Sequence, residues 1–421
     1  MTAERPDPDI RDLIARGLAT HPLPEGPLVV GVSGGGDSVA LMQGLARAVA
    51  PDRLRAVTVD HGFRADARAE ATLVAWQAAE LGIAHETVDW RWDGQGNLQA
   101  AAREGRWNVL AAVARREGAA AVLLGHTADD QAETVLLRLA RGSGVDGLAA
   151  MAPVSFRDGL AVHRPLLSVP REDLRTALRL LGCDWADDPS NDDPRFDRVR
   201  VRQALPALEA LGLTRNRLLQ TAEHMQAARL SLDDQAEALA ARHVAITALG
   251  EVVLAAPLLD FSREVPRRLV AAALRFAGGS DWRPRFAALR QAVETVAAGG
   301  RASLSGCLLW PEPGGGLRVL REPADVAPPV EVAGVTALWD GRWEVSGPFQ
   351  PGDTLGALGP AQGDLPDWRA TGAGLPAVQA SPAIRRGGSL LAAPAAGLPE
   401  GFAARLSRQF QPRSFPIEDR A

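Results

Sequence analysis

The stretch that most constrains this chain runs from residue 28 to residue 38 and reads LVVGVSGGGDS. Its apolar, mostly β-branched start predicts a buried strand, and residues 39–50 predict a helix. The three successive glycines between them allow a sharp turn and leave no side chain to keep a ligand from the backbone N–H groups. Those N–H groups, the helix N-terminus and the hydroxyls of Ser33 and Ser38 together predict an anion-binding loop.

A Walker-type phosphate loop is excluded, because it requires a lysine and this chain contains none. The S-G-G-x-D-S pattern after a strand instead resembles the pyrophosphate loop of the N-type ATP pyrophosphatases. In that family the loop holds the phosphates that leave as pyrophosphate while AMP is transferred to a substrate oxygen. The resemblance implies ATP as the cofactor and Asp37 as a catalytic residue and Mg²⁺ ligand. It implies that the ATP-binding residues of the loop are Ser33, Gly34, Gly35, Gly36, Asp37 and Ser38.

Length and composition limit the number of domains and the class of protein that this chain can form. A chain of 421 residues is expected to form two or three domains, and 46% hydrophobic with 23% charged residues is typical of a globular protein with sizeable cores. Two cysteines without a C-x-x-C pair indicate reduced thiols and argue against zinc or iron–sulfur sites. Residues 1–19 have no apolar signal segment and no apolar run is long enough to span a membrane, so we expect a cytoplasmic protein without a membrane partner.

Strands and helices alternate through the first two hundred residues, which predicts an α/β fold with a parallel sheet covered by helices on both faces. Ligands bind such folds at the carboxyl ends of the strands. From residue 214 helical periodicity dominates, and from residue 301 short strands return. We therefore predict a catalytic domain at 1–213, a mainly helical domain at 214–300 and a small β-rich module at 301–421. Predicted strands lie at 28–32, 54–60, 83–89, 121–125 and 160–163, and helices at 39–50, 65–81, 97–117, 127–141 and 171–181.

Candidate nucleotide-binding residues follow the second and third predicted strands. His61 and Arg64 lie at the end of the second strand, where Gly62 permits close approach of a backbone. Arg103 and Arg106 lie three residues apart on a predicted helix, so they share a face and could both reach a triphosphate. We predict that His61 and Arg64 bind ATP and that Arg103 is catalytic.

Carboxylates are concentrated after the fourth strand. Thr127 is a good helix cap, and the helix dipole favours one or two acids in a first turn. Three acids within five residues, Asp129, Asp130 and Glu133, exceed that structural need. Because Mg²⁺ and amine substrates both require carboxylates, we predict that Asp130 and Glu133 are catalytic and that Asp130 is a Mg²⁺ ligand.

The net charge of −5 does not by itself suggest a nucleic-acid partner, but arginines are unevenly distributed. Residues 195–230 contain seven arginines against three acids, and residues 263–290 contain seven against two. Such clusters are typical of polynucleotide-binding surfaces and also of solvated helix faces in a lysine-free chain.

Several ordered motifs occur across residues 28–210. They are the phosphate loop, VDHGFR at 59–64, GNLQ at 96–99 with Arg103 and Arg106, the block at 126–151, and DPSN at 188–191 with Phe196 and Arg198. Together these motifs resemble the tRNA(Ile)-lysidine synthase family. One departure is Val199, where the family usually has Asn. The helical segment at 214–300 is similar in position to the family's domain that binds the tRNA substrate.

The resemblance implies a ligase that uses ATP to adenylate the C2 oxygen of the wobble cytidine in a tRNA(Ile) with a CAU anticodon. The ε-amine of L-lysine then displaces AMP and forms lysidine. The implied partners are tRNA(Ile), L-lysine and ATP. The sequence does not fix the oligomeric state, and a homodimer is one option.

Two alternatives stay open at this point. A tRNA 2-thiolation enzyme would use the same loop, but it normally needs a cysteine pair, and Cys183 and Cys307 are single and distant. A non-enzymatic ATP-binding regulatory protein of the same superfamily would not need the carboxylate cluster or the two-domain build.

Overall fold

The chain folds into two compact units, the first ending at Ala228 and the second beginning at Arg229. The assignment of separate roles to three domains remains a prediction. The computed structural model describes residues 7–62, 67–187, 193, 195–280, 284–332, 334–365 and 367–413. Arg64, which was predicted to bind ATP, and the motif at residues 188–191 lie outside these described residues.

In the first unit a six-stranded sheet is covered by helices. Its strands are β1 (Leu28–Gly31), β2 (Leu54–Asp60), β3 (Ala84–Asp89), β4 (Ala121–Leu124), β5 (Val154–Arg157) and β6 (Leu160–His163). The helices up to residue 210 are α1 (Ile10–Thr20), α2 (Gly36–Ala48), α3 (Ala67–Glu80), α4 (Leu98–Arg116), α5 (Ala128–Ala140), α6 (Val145–Leu148), α7 (Arg171–Leu180) and α8 (Asp197–Ala210). The unit boundary falls within α9 (Arg215–His243).

The strand order is β3-β2-β1-β4-β6-β5, and all neighbours are parallel except β5 and β6. In the middle of the sheet, Leu28 of β1 is level with Leu54 of β2 and Ala121 of β4. The chain goes from β1 to β2 and β3 on one side, whereas β4 lies on the other side. The strand order therefore reverses beside β1, and a crevice for a ligand is expected at the carboxyl end of this strand. The predicted α/β class is confirmed.

Strand β1 is buried on both faces, which explains why its sequence is a continuous apolar run. Leu28 and Val30 belong to a core that includes residues of α1, α2 and α7. Val29 belongs to a second core with Trp107 and Leu110 of α4. Full burial of an aliphatic side chain contributes about 1.5–3 kcal/mol, so these contacts hold β1 and the loop that follows it in place.

The second unit combines helices with three antiparallel sheets in its described residues. Besides the C-terminal part of α9, its helices are α10 (Glu264–Gly278), α11 (Phe286–Ala297) and the short α12 (Leu375–Gln379). The strands are β7 (Val244–Ile246), β8 (Val252–Leu254), β9 (Ala302–Leu304), β10 (Cys307–Glu312), β11 (Gly316–Arg321), β12 (Val330–Glu331), β13 (Thr336–Trp339), β14 (Trp343–Ser346), β15 (Asp353–Ala357), β16 (Pro382–Arg386), β17 (Ser389–Ala392) and β18 (Ala403–Leu406). The sheet orders are β7-β8-β11-β10-β9, β12-β15-β16-β17 and β13-β14-β18. Two short strands, β7 and β8, interrupt the segment predicted to be mainly helical from residue 214.

None of the helices in the described ranges has both the length and the apolar character needed to cross a membrane.

Candidate active site

The glycine-rich loop between β1 and α2 has the sharp conformation that its sequence predicts. Gly34 has φ +89°, a region that residues with a side chain rarely adopt, and Gly35 is the N-cap of α2. The hydroxyl of Ser38 donates to the Gly35 carbonyl oxygen at 2.9 Å and accepts from the Ser33 amide at 3.1 Å. The two serine hydroxyls also lie 3.2 Å apart. Both predicted phosphate-binding serines thus brace the loop internally.

A distant segment of the chain, residues 184–187, also fixes the phosphate loop. The Ala186 amide donates to the Gly34 carbonyl oxygen at 2.9 Å, and Ala186 forms a parallel bridge with Gly35. The Trp185 ring lies against Gly36, where an added Cβ would be 3.3 Å from its Cδ1. The carbonyl of Asp184 accepts a 2.7 Å hydrogen bond from the side chain of Gln77. The loop therefore depends on a segment that the sequence analysis did not connect with it.

Helix α5 begins with a capping box formed by Thr127 and Asp130. One carboxylate oxygen of Asp130, Oδ2, accepts from both the amide and the hydroxyl of Thr127 at 2.8 Å. The Asp130 amide lies 3.4 Å from the Thr127 hydroxyl oxygen. One half of the Asp130 carboxylate therefore has a structural role, and only its Oδ1 faces the rest of the site.

The guanidinium of Arg171 joins the carboxylates of two helix N-termini. Its Nε donates to Asp37 Oδ2 at 2.8 Å, and its Nη2 donates to Asp130 Oδ1 at 3.1 Å. Its Nη1 lies 3.8 Å from Glu133 Oε1, within ion-pair distance. The Arg171 amide donates to Asp129 Oδ2 at 2.8 Å. The three acids predicted to be catalytic, Asp37, Asp130 and Glu133, thus lie together around one cation.

Sequence reasoning missed Arg171, which it used only as the start of a helix. A cation at the N-terminus of a helix opposes the helix dipole, so this placement has a cost that a carboxylate partner must offset. That unfavourable position is the local signal that could have identified it.

Helix α8 brings further arginines to the same cluster. Arg202 Nε donates to Glu133 Oε1 at 3.0 Å, and Arg198 Nη1 lies 4.0 Å from Asp130 Oδ1. Arg200 instead pairs with Asp197 on its own helix. Arg198 and Arg202 both face α5 because they are four residues apart on α8.

Burial and neighbouring charges shift the pKa values of the three carboxylates in different directions. Burial raises the pKa of Asp37, and the nearby Arg171 only partly opposes this. Burial and the charge of Asp130 raise the pKa of Glu133, against the influence of Arg202. Burial also tends to raise the pKa of Asp130. The charges of Arg171 and other cations, together with hydrogen bonds, outweigh burial, so the pKa of Asp130 is lowered. Asp130 is thus held as a carboxylate, whereas Asp37 and Glu133 bind protons more readily than exposed acids.

Two acceptor atoms in the cluster have no hydrogen-bond partner within the described part of the chain. They are Asp37 Oδ1 and Glu133 Oε2, and both are buried. A buried acceptor without a donor is costly, by about 1–3 kcal/mol, so an incoming cation or donor would be favoured here.

The other predicted nucleotide-binding residues lie at the end of β2 and on α4. The His61 ring packs edge-on against Trp90, with centroids 5.3 Å apart. Burial and the charge of Arg106 lower the pKa of His61, so the ring is neutral near pH 7. Arg103 lies half-buried on α4, and its catalytic assignment stays a prediction. The amide of Ala100 donates to Asn97 Oδ1 at 3.1 Å, so Asn97 caps the N-terminus of α4.

The described residues contain no group of three or more His, Cys, Asp or Glu side chains placed to hold one metal ion. Mg²⁺ usually binds one or two carboxylates together with substrate phosphates and water. Asp37 fits this role, because its Oδ1 is unpartnered. Asp130 fits only if Arg171 releases its Oδ1, since Oδ2 is held by Thr127.

Comparison with known proteins agrees with this geometry. A family model described as a PP-loop domain matches residues 11–208. The tRNA(Ile)-lysidine synthase of Ruegeria pomeroyi is 44% identical over 384 residues, which cover 90% of this chain and 91% of that protein. That of Methylobacterium nodulans is 39% identical over 71% of this chain and 91% of its own length. That of Hyphomonas neptunium is 39% identical over 70% of this chain and 81% of its own length.

These matches extend beyond the PP-loop domain into the second unit, and the motifs across residues 28–210 agree with them. The family resemblance inferred from the sequence is confirmed. With 44% identity across nine-tenths of the chain, this protein belongs to the tRNA(Ile)-lysidine synthase family.

Proposed function

We propose that this protein ligates L-lysine to C2 of the wobble cytidine in tRNA(Ile) with a CAU anticodon. The reaction consumes ATP and yields lysidine, AMP and pyrophosphate. The observation that carries the proposal is the meeting of the phosphate-loop acid Asp37 with Asp130 and Glu133 at one cation, the Arg171 guanidinium. A phosphate loop beside a cation-binding acid cluster suits a reaction that uses both a triphosphate and an amine as substrates.

In the first step the C2 oxygen of the cytidine attacks the α-phosphorus of ATP, and the bond to the β-phosphate breaks. The backbone N–H groups at the N-terminus of α2 are suited to stabilise the charge that develops on the leaving pyrophosphate. Asp37 would hold Mg²⁺ through its unpartnered Oδ1, with Asp130 as the second candidate ligand. A bound Mg²⁺ supplies charge neutralisation for the triphosphate.

In the second step the ε-amine of lysine attacks C2, the bond to the AMP oxygen breaks, and AMP leaves. Asp130, held as a carboxylate, is suited to bind the lysine ammonium. Burial raises the pKa of Glu133, which makes this side chain a better proton acceptor than an exposed glutamate. We assign Asp130 to lysine binding and Glu133 to proton or metal handling.

For the tRNA body we propose the mainly helical region at residues 214–300, most of which belongs to the second unit, as the binding region. The side chains of Arg263 and Arg290 are 79% and 56% exposed, and their ion-pair partners Asp260 and Glu294 are exposed too, so phosphates can compete for both arginines. Arg268 is not, because its side chain is 1% exposed and donates to Asp233 at 2.9 Å. Only part of the arginine cluster at 263–290 can therefore serve this purpose.

The chain's two cysteines do not support the 2-thiolation alternative. Cys183 lies in the first unit and Cys307 in the second, and Cys307 is buried and donates to the Leu274 carbonyl. We also propose a cytoplasmic location, where tRNA is modified, and a homodimer as the assembly to test by light scattering.

The test is incorporation of radiolabelled lysine into a transcript of tRNA(Ile) with the CAU anticodon. We expect incorporation that depends on ATP and releases one pyrophosphate per lysine. A matched transcript with a GAU anticodon is the control and should remain unlabelled. Nucleotide binding without incorporation would support the regulatory alternative and contradict the proposal.

A further inference from the structure

We infer that Arg171 is the positioning residue that holds the ATP side and the lysine side of the active site in one arrangement. This inference rests on the proposed function and goes beyond it, because it assigns a role to a residue on neither the phosphate loop nor the carboxylate helix.

The contacts of Arg171 span three helices. Its guanidinium reaches Asp37 on α2 at 2.8 Å and Asp130 on α5 at 3.1 Å, with Glu133 at 3.8 Å. Its backbone amide binds Asp129, also on α5, at 2.8 Å. The side chain and the backbone amide of Arg171 thus both attach the N-terminus of α7 to the N-terminus of α5. The Arg171 guanidinium also contacts Asp37, so it fixes the distance from α5 to the phosphate loop.

An arginine is required for this arrangement. The planar guanidinium presents several donors in fixed directions, so one side chain can contact three carboxylates at once. A lysine in its place would keep the charge but could not span Asp37 and Asp130 with the same geometry.

The charge of Arg171 is also needed. Without it the carboxylates of Asp37, Asp130 and Glu133 would repel one another and the triphosphate of ATP. Removal of Arg171 takes away the cation that lies among the three carboxylates, and this opposes the binding of an anionic triphosphate beside them. The other ionisable groups that act on these acids are Arg175, Arg198, Arg202 and His126.

The experiment compares Arg171→Gln and Arg171→Lys with the wild type. Arg16→Gln is the matched control, because Arg16 is an exposed residue of α1. For each protein we would measure kcat for lysine incorporation, the KM values for ATP and lysine, the Kd for ATP by calorimetry, and the thermal unfolding midpoint.

For Arg171→Gln we expect a roughly 100-fold loss of activity, as for a site misplaced by about 1 Å. We also expect higher KM values for both ATP and lysine, because the phosphate loop and the carboxylate helix lose their common contact. Arg171→Lys keeps the charge and should recover part of the activity, but its KM values for both substrates should stay above those of the wild type. Arg16→Gln should match the wild type throughout.

A loss of activity in Arg171→Gln with wild-type KM values for both substrates and an unchanged Kd for ATP would overturn the inference, since Arg171 would then not hold the two sides of the site. If Arg171→Gln does not fold, Arg171→Lys decides: raised KM values for both substrates support the inference, and wild-type values overturn it. Failure of the proposed function has a different outcome, since the wild type would then incorporate no lysine. The Kd for ATP would still test Arg171, with at least tenfold weaker binding expected in Arg171→Gln.

Discussion

Replacement of Gly125 by alanine tests how closely the carboxylate helix is packed against the phosphate loop. Gly125 follows β4, and a Cβ at this position would lie 2.9 Å from the Asp37 carbonyl oxygen and 3.1 Å from the Ser38 Cα. Carbon atoms prefer separations of about 3.5–4.0 Å, so the first turn of α2 would have to move by roughly 0.5 Å. Both contacted atoms are backbone atoms, so no side-chain rotation can relieve the clash.

The expected cost of such overpacking is about 1–3 kcal/mol. For a unit of this size each kcal/mol lowers the midpoint by roughly 2–4 °C, which predicts a decrease of about 2–12 °C. Because the moved atoms belong to the phosphate loop, lysine incorporation should fall by roughly 10-fold to 100-fold. Thermal unfolding and the labelled-lysine assay on the same preparation would measure both effects.

Two other alanine variants make this prediction specific. Gly363→Ala is the control, because a Cβ there has no atom within 4 Å among the described residues and the backbone φ is not positive. Gly35→Ala should fold normally, since its nearest neighbour would be Ser33 Oγ at 3.7 Å, yet lose activity if phosphates approach that backbone. Wild-type stability and activity in Gly125→Ala would refute the reasoning, as would a lower midpoint with unchanged activity.

Three further predictions concern charged side chains of the site and of the proposed tRNA-binding region, and a fourth concerns a buried ion pair. Asp130→Asn should impair lysine transfer more than adenylation, so adenylated tRNA accumulates in a quench assay and the KM for lysine rises; complete failure to form the adenylate would reassign Asp130 to the metal. Glu133→Gln should instead slow pyrophosphate release, with partial rescue at high Mg²⁺, and an equal defect at all Mg²⁺ concentrations would argue against metal handling. Substitution of Arg263 and Arg290 by Gln should reduce the log–log salt slope of tRNA binding by about 0.7–0.9 for each arginine–phosphate pair removed, and an unchanged slope would make them ordinary solvated residues. Arg268→Met should destabilise the second unit by about 1.5–3 kcal/mol, because it removes a charged hydrogen bond to the buried Asp233 carboxylate; Arg290→Met is the exposed control, and equal midpoints for both variants would contradict this.

The strands and helices around the site could be predicted because their signals are local. The apolar run of β1, the glycine turn and the Asn97 and Thr127 caps each depend on a few neighbouring residues. The convergence of the carboxylates could also be anticipated, because the carboxyl ends of neighbouring parallel strands meet at one edge of the sheet.

The cation at the centre of the cluster could not be predicted in this way. Arg171 and Asp37 are separated by 134 positions, and no periodicity relates them. The same holds for Ala186, which completes the phosphate loop at Gly34. The two serines of the loop show a different limit of sequence analysis. Their sequence predicts that the hydroxyls donate to phosphate, whereas in the structure they form hydrogen bonds within the loop. These hydrogen bonds depend on the folded backbone, which the sequence pattern alone does not reveal.

The separation of Asp37 and Arg171 has a consequence for the biosynthesis of this protein. At about 5–20 residues per second, translation of the 134 intervening positions takes roughly 7–27 s. During that interval the nascent chain carries the glycine loop without the arginine and without the strand-like bridge at Ala186. Nascent chains arrested before α7 should therefore not retain ATP, although the complete glycine loop has already been synthesised. The ability to bind nucleotide reports that the ribosome has passed residue 186, well after the loop itself has emerged.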